Sequence, residues 1–192
     1  MSLEEQKEKL IGEIVERELA MFLATPNEGG TSDYQTRPDT FRIMRRMNHC
    51  VHGVPMLESY LQDLEEAAAQ GRNLMTEKYA LMDDRIPLLT QRPLPLEIAV
   101  AETGFLQQAA AWYPHAVQAS GDDAFCNYCR CELETLSDRT LELYAEEVKQ
   151  AISEERNLAV ERYDFLWKLL GEGSLEAYEA KLAANDPDSK AQ

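Results

Sequence analysis

An all-α fold is what this 192-residue chain predicts, on three observations. Apolar side chains recur with the helical period, strong helix formers dominate, and runs of β-branched residues are missing. The expected arrangement is about eight helices: two tandem four-helix repeats, related by a pseudo-twofold axis, packed into one bundle-like body. Residues 1–87 form the first repeat and 88–171 the second. Residues 172–192 are assigned to a short C-terminal helix and a disordered tail.

The repeat emerges when the chain is compared with itself at an offset of 84 residues. Leu57-Glu-Ser-Tyr60 then meets Leu141-Glu-Leu-Tyr144. Arg72-Asn-Leu-Met-Thr-Glu77-Lys-Tyr79 meets Arg156-Asn-Leu-Ala-Val-Glu161-Arg-Tyr163. Phe41, Arg46 and Asp39 align with Phe125, Arg130 and Asp123, and Leu10, Glu13, Ile14 and Glu18 align with Leu94, Glu97, Ile98 and Glu102. Between residues 10–83 and 94–167, 16 of 74 positions are identical without a gap. Helical periodicity explains matched apolar positions. It does not explain a shared Arg-Asn-Leu.

The elements follow in order. The first helix is expected from Leu3 to Thr25, with a stripe through Ile11, Ile14, Val15, Leu19 and Phe22. Pro26-Asn-Glu-Gly-Gly30 reads as a loop. A second helix starts near Pro38, with Thr36 or Asp39 as cap candidates. Gly53 and Pro55 break the chain before a third helix, Met56 to Gln70. A fourth runs from Asn73 to Met82, and Pro87, Pro93 and Pro95 stiffen the connection that follows. The second repeat expects helices over 96–112, 123–136, 138–154 (capped by Ser137) and 158–170, ended by Gly171 and Gly173. Ser174 starts a last helix to about Ala183. The methionines Met44, Met47, Met75 and Met82 read as core filler.

The net charge of −16 repels phosphate backbones and anionic headgroups, so neither nucleic acid nor a membrane is an expected partner. No apolar run approaches the length of a bilayer span, and the N-terminus lacks the apolar core of a signal peptide. A cytoplasmic protein is expected, with its four cysteines as thiols.

Glu18 is the most informative residue. Its helical neighbours Ile14, Val15, Met21 and Phe22 are all apolar, as are Ile98, Ala99, Phe105 and Leu106 around Glu102. A carboxylate buried there without a partner costs several kcal/mol. Glu77 and Glu161 are weaker versions of the same pattern. The expected partners of Glu18 and Glu102 are Arg72, Arg156, Asn73, Asn157 or the tyrosines Tyr60, Tyr79, Tyr144 and Tyr163. Those residues are also the candidates for a ligand pocket, in which Arg72 or Arg156 grips a substrate carboxylate. Four carboxylates from four helices resemble a bundle metal site, but the Glu-x-x-His pairs of such sites are missing.

A second metal alternative uses Cys126, Cys129, Cys50 and His52. If Cys126 to Cys131 is helical, Cys126 and Cys129 share a stripe with Leu133 while Cys131 points away, so the thiols do not converge. Phosphate loops and nucleophile elbows are missing from the sequence.

The segments Glu18-x-x-Met21-Phe22, Asn27-Glu-Gly-Gly30, Phe41-x-x-Met44-Arg45, Ser59-Tyr-x-x-Asp63-Leu64 and Gly71-Arg-Asn-Leu-x-x-Glu77-Lys-Tyr-Ala80 resemble a bacterial family catalogued as domain of unknown function 4125. The resemblance covers roughly residues 10 to 180. It implies a bacterial protein, and no activity or cofactor comes with it. The sequence favours a helical binding or interaction module. The alternative is an enzyme or a small-molecule or metal-binding protein with a carboxylate- and Arg-lined site at the repeat interface. Whether it is an enzyme stays open at the sequence level, as does the choice between a protein partner and a small-molecule ligand.

Overall fold

A computed structural model describes residues 2–26, 33–119 and 121–186. The loop expected around Gly29-Gly30 and the tail beyond Asp186 lie outside them. Among the described residues the chain is all-helical, with nine α-helices and no strand. They are α1 (Leu3–Ala24), α2 (Pro38–His49), α3 (Val54–Ala69), α4 (Leu74–Met82), α5 (Leu94–Trp112), α6 (Asp122–Leu133), α7 (Asp138–Ser153), α8 (Leu158–Leu169) and α9 (Leu175–Asn185). No described helix is long and apolar enough to cross a membrane.

Local chemistry sets the helix ends. Ser2 opens α1 with a capping box closed by Glu5. Asn73, Ser137, Asn157 and Ser174 each accept a backbone N–H at the start of α4, α7, α8 and α9. The helix α2 departs from expectation. Its N-cap is Arg37 without a side-chain bond, not Thr36 or Asp39, because Pro38 in the first turn already supplies helical φ. Pro55 and Pro95 likewise start α3 and α5 instead of delaying them.

The bounds of α2 and α6, and of α3 and α7, lie 84 positions apart, as do the starts of α4 and α8. The helix α1 packs on α2, α3 and α4, whereas α5 packs on α6, α7 and α8. Between the two sets, α2 meets α8, α3 meets α7 and α4 meets α6, while α9 caps α8. The apolar core forms two clusters. One gathers Ile11, Ile14, Leu57 and Leu64; the other gathers Ile98, Ala109, Leu141 and Leu158. Each fully buried Leu or Ile contributes about 1.5–3 kcal/mol.

On α6, Cys126 and Cys129 pack against the cluster that holds Leu133, and Cys131 is fully buried. The helix α6 lies between α5 and α4, so the face opposite its α5 stripe is covered as well. Met44 is 43% exposed and is not core filler.

Candidate functional site

Glu18 on α1 and Glu102 on α5 are buried, at 0% and 2% exposure. Two helices supply partners to Glu18. Arg45 on α2 donates from Nε to Oε2 at 2.8 Å and from Nη2 to Oε1. His49 presents Nε2 at 3.1 Å from both oxygens, and the Tyr60 hydroxyl on α3 donates at 2.7 Å. Burial alone would push the Glu18 carboxyl up. Arg45 and His49 override it and hold the group down at about 2.

Glu102 is met differently. Arg162 on α8 donates to both oxygens, at 2.5 and 2.9 Å, and Tyr144 on α7 donates at 2.8 Å. Burial again opposes ionisation, and Arg162 again lowers the carboxyl.

A third buried carboxylate joins them. Glu132 on α6 accepts from Arg45 Nη1 at 3.1 Å and Nη2 at 3.0 Å, and from Lys78 Nζ on α4 at 2.5 Å. Burial pushes the Glu132 carboxyl up, but Arg45 and Lys78 pull it far below the usual range. The Lys78 ammonium also lies 3.4 Å from the ring centroid of Tyr128. Three carboxylates therefore face three cations.

Two histidines complete the arrangement. Nδ1 of His52 lies 2.6 Å from Glu147 on α7, which also accepts the Gly53 amide at 2.7 Å. Burial lowers the His52 pKa against the opposing pull of Glu147, so the ring is neutral. The His49 and His52 centroids are 6.3 Å apart. His49 Nδ1 is buried and has no hydrogen-bond partner.

Other expected partners lie elsewhere. Arg72 pairs with Glu77 at 2.7 and 2.8 Å, and Arg156 with Glu161 at 2.7 and 2.9 Å. These are local pairs at the starts of α4 and α8, where each arginine follows a helix end and reaches five residues ahead. Neither arginine joins Glu18 or Glu102. Asn73 and Asn157 cap their helices and donate to the carbonyls of Met21 (2.8 Å) and Phe105 (2.9 Å), tying α4 to α1 and α8 to α5. Among the described residues no three His, Cys, Asp or Glu side chains converge as ligands. His52 is committed to Glu147, and Cys50 donates to the Met47 carbonyl.

The sequence reading missed Arg45, Arg162, Lys78, Glu132 and His49. One signal was available: Lys78 and Arg162 occupy the same place in the repeated motif, and both are cations.

Two cavities adjoin this cluster. The larger measures about 1080 Å³. Its walls come from α1, α2 and α4 on one side and α5, α6 and α8 on the other. Many wall positions are matched at the 84-residue offset: Phe22 with Leu106, Phe41 with Phe125, Met44 with Tyr128, and Tyr79 with Tyr163. Phe22 and Phe41 stack at 4.7 Å. The smaller cavity, about 90 Å³, is bordered by His49, His52, Tyr60, Tyr144, Cys129 and Glu132 among others. Asn48, Glu102, Phe125, Tyr128 and Arg162 line both.

Comparison with known proteins adds the family and nothing further. No curated protein and no solved structure matches the chain. A family model described as "Protein of unknown function (DUF4125)" matches residues 8–180. With nearly the whole described body inside that match, the chain belongs to the DUF4125 family.

Proposed function

We propose that the protein binds a small organic molecule with a largely apolar body in the cavity of about 1080 Å³ between α1, α2, α4 and α5, α6, α8. The observation that carries this reading is the composition and shape of that cavity. Its volume lies at the top of the range for ligand pockets, about 300–1,000 Å³, and its walls carry six aromatic rings and four methionines beside polar and charged side chains. Methionine adapts to varied apolar shapes. Of the charged groups on its walls, Arg45, Lys78 and Arg162 are committed to carboxylates and Arg85 pairs with Asp83; Arg37 lines it as well. A concave void of this kind suits a small molecule better than a flat protein surface. It also favours ligand binding over the interaction-module reading.

The same reading takes residues 1–87 and 88–171 as two copies of one unit, meeting around the ligand. Matched helix bounds and matched wall positions support it. A cytoplasmic setting fits the four free thiols.

Titration with N-phenyl-1-naphthylamine, a neutral dye that brightens in apolar sites, tests the proposal. The folded protein should enhance its emission saturably. Met44→Glu should weaken binding at least about tenfold, a loss of about 1.4 kcal/mol, because it puts a charge on an apolar wall. Leu170→Glu, at an exposed leucine outside the cavity, should leave binding unchanged. Equal loss in both variants, or no enhancement at all, would count against the cavity as a ligand site.

A further inference from the structure

The charges on the walls of the larger cavity run against those of the whole chain. Over the sequence, Asp and Glu outnumber Lys and Arg by 35 to 19. On the cavity walls the balance inverts: five of the charged residues are cationic, and only Asp83 and Glu102 are acidic. A cationic recess thus sits in a protein whose overall field repels anions.

Most of those cations are spent. Arg45 pairs with Glu18 and Glu132, Lys78 with Glu132, and Arg162 with Glu102. Arg85 lies 3.4 Å from Asp83. Arg37 differs from all of these. It immediately precedes α2, its side chain caps nothing, and among the described residues it makes no hydrogen bond or ion pair. Arg37 both lines the cavity and is exposed, so it stands where the cavity opens to solvent. Its five N–H donors are therefore uncommitted, and their planar fork matches a carboxylate.

The helix that follows supplies the rest of the wall. Thr40 and Phe41 stand one turn beyond Arg37, and Met44 stands two turns beyond it; all three line the same cavity. Along α2 the wall passes from a cation and a hydroxyl to an aromatic ring and a thioether. Phe22, stacked on Phe41, extends the apolar part. A ligand that matches this order has one negatively charged end and an apolar body. One uncommitted cation calls for one negative charge.

We propose that the ligand of the larger cavity is an amphipathic monocarboxylate, with its apolar body against Phe41 and Met44 and its carboxylate on Arg37 at the mouth. This rests on the reading of the larger cavity given above and adds the charge class of the ligand to it.

A matched octyl series tests the charge: octanoate, octanamide, octylammonium and octyl phosphate, each displacing N-phenyl-1-naphthylamine from the protein at neutral pH. Octanoate should displace the dye at concentrations about three- to fivefold lower than octanamide, the range of an ion pair at a partly exposed position. Solvent reaches that pair, so about 1 M NaCl should shrink the advantage. Arg37→Gln should abolish it and leave octanamide binding unchanged, whereas Arg37→Lys should keep most of it. Neither variant removes a side-chain bond from the described fold, and equal midpoints in urea would show that both remain folded. Octanoate binding no better than octanamide, or an advantage that survives Arg37→Gln, would overturn this inference alone. Preference for octylammonium would overturn it too, because the acidic surface and not the cavity wall would then select the charge. Tighter displacement by octyl phosphate than by octanoate would overturn the match to a single charge. Dye that never brightens, with no member of the series binding, would remove the larger-cavity reading together with this one.

Discussion

Arg45 clamps two carboxylates that lie far apart in sequence, Glu18 on α1 and Glu132 on α6, and is itself only 4% exposed. Its removal leaves two buried anions short of their cation. Arg45→Met should cost about 3–5 kcal/mol, measured by urea unfolding, a large share of the ~5–15 kcal/mol that holds a domain folded. The linkage with pH has a definite sign. The Glu18 carboxyl is held at about 2, below its ordinary 4.5. Its contribution is complete above 4.5 and disappears as pH falls through that window toward 2. Glu18→Gln should therefore be clearly less stable than the parent at neutral pH, and the gap should narrow progressively on acidification. A gap that stays constant with pH would show that the carboxylate is not ionised in the folded protein.

Residue burial was legible in the sequence, and so were the tyrosine partners Tyr60 and Tyr144, but the cationic partners were not. Glu18 and Glu102 declare themselves buried through their i±3 and i±4 neighbours. Their cations do not, because a partner's identity depends on how α2 and α8 rotate against α1 and α5. Arg45 has no counterpart to flag it: Cys129 stands at the matched position. The two carboxylates consequently solve one problem with arginines from different helices.

At the scale of elements, the turns after α3 and α7 make a controlled comparison. Arg72 N–H bonds the Ala67 carbonyl at 2.8 Å after α3, and Arg156 N–H bonds the Ala151 carbonyl at 2.8 Å after α7. Both turns need a left-handed residue. The first uses Gly71 at φ 69°, and the second forces Glu155 to φ 55°. A side chain there costs roughly 1–2 kcal/mol. Glu155→Gly should raise stability by about 1 kcal/mol, and Gly71→Ala should lower it by a similar amount, both read from denaturation midpoints. Since nothing lies within 4 Å of a Cβ added at Gly71, the effect is one of backbone conformation, not crowding. Element existence was readable throughout because caps and periodicity are local. Element ends shifted where proline sat in the first turn, as at Pro55 and Pro95.

For the whole molecule, the sequence pointed to helices, to matched segments and, as an alternative, to a site at the repeat interface, but not to the size or shape of a void. A cavity is a property of the space between α2, α4, α6 and α8, and no residue pattern along the chain encodes it. Phe41 and Met44 looked like ordinary helix positions until their helices were brought around one space, whereas Tyr79 and Tyr163 were already pocket candidates.

The methionines offer the most direct check on that space. Met44, Met47, Met75 and Met82 line the larger cavity, whereas Met21 is buried in the α1 cluster away from it. With ¹³C-labelled methionine methyls, adding N-phenyl-1-naphthylamine should shift Met44, Met47, Met75 and Met82 in a saturable manner and leave Met21 in place. Shifts spread over all the methionines alike, or confined to Met21, would contradict a ligand cavity between the two sets of helices.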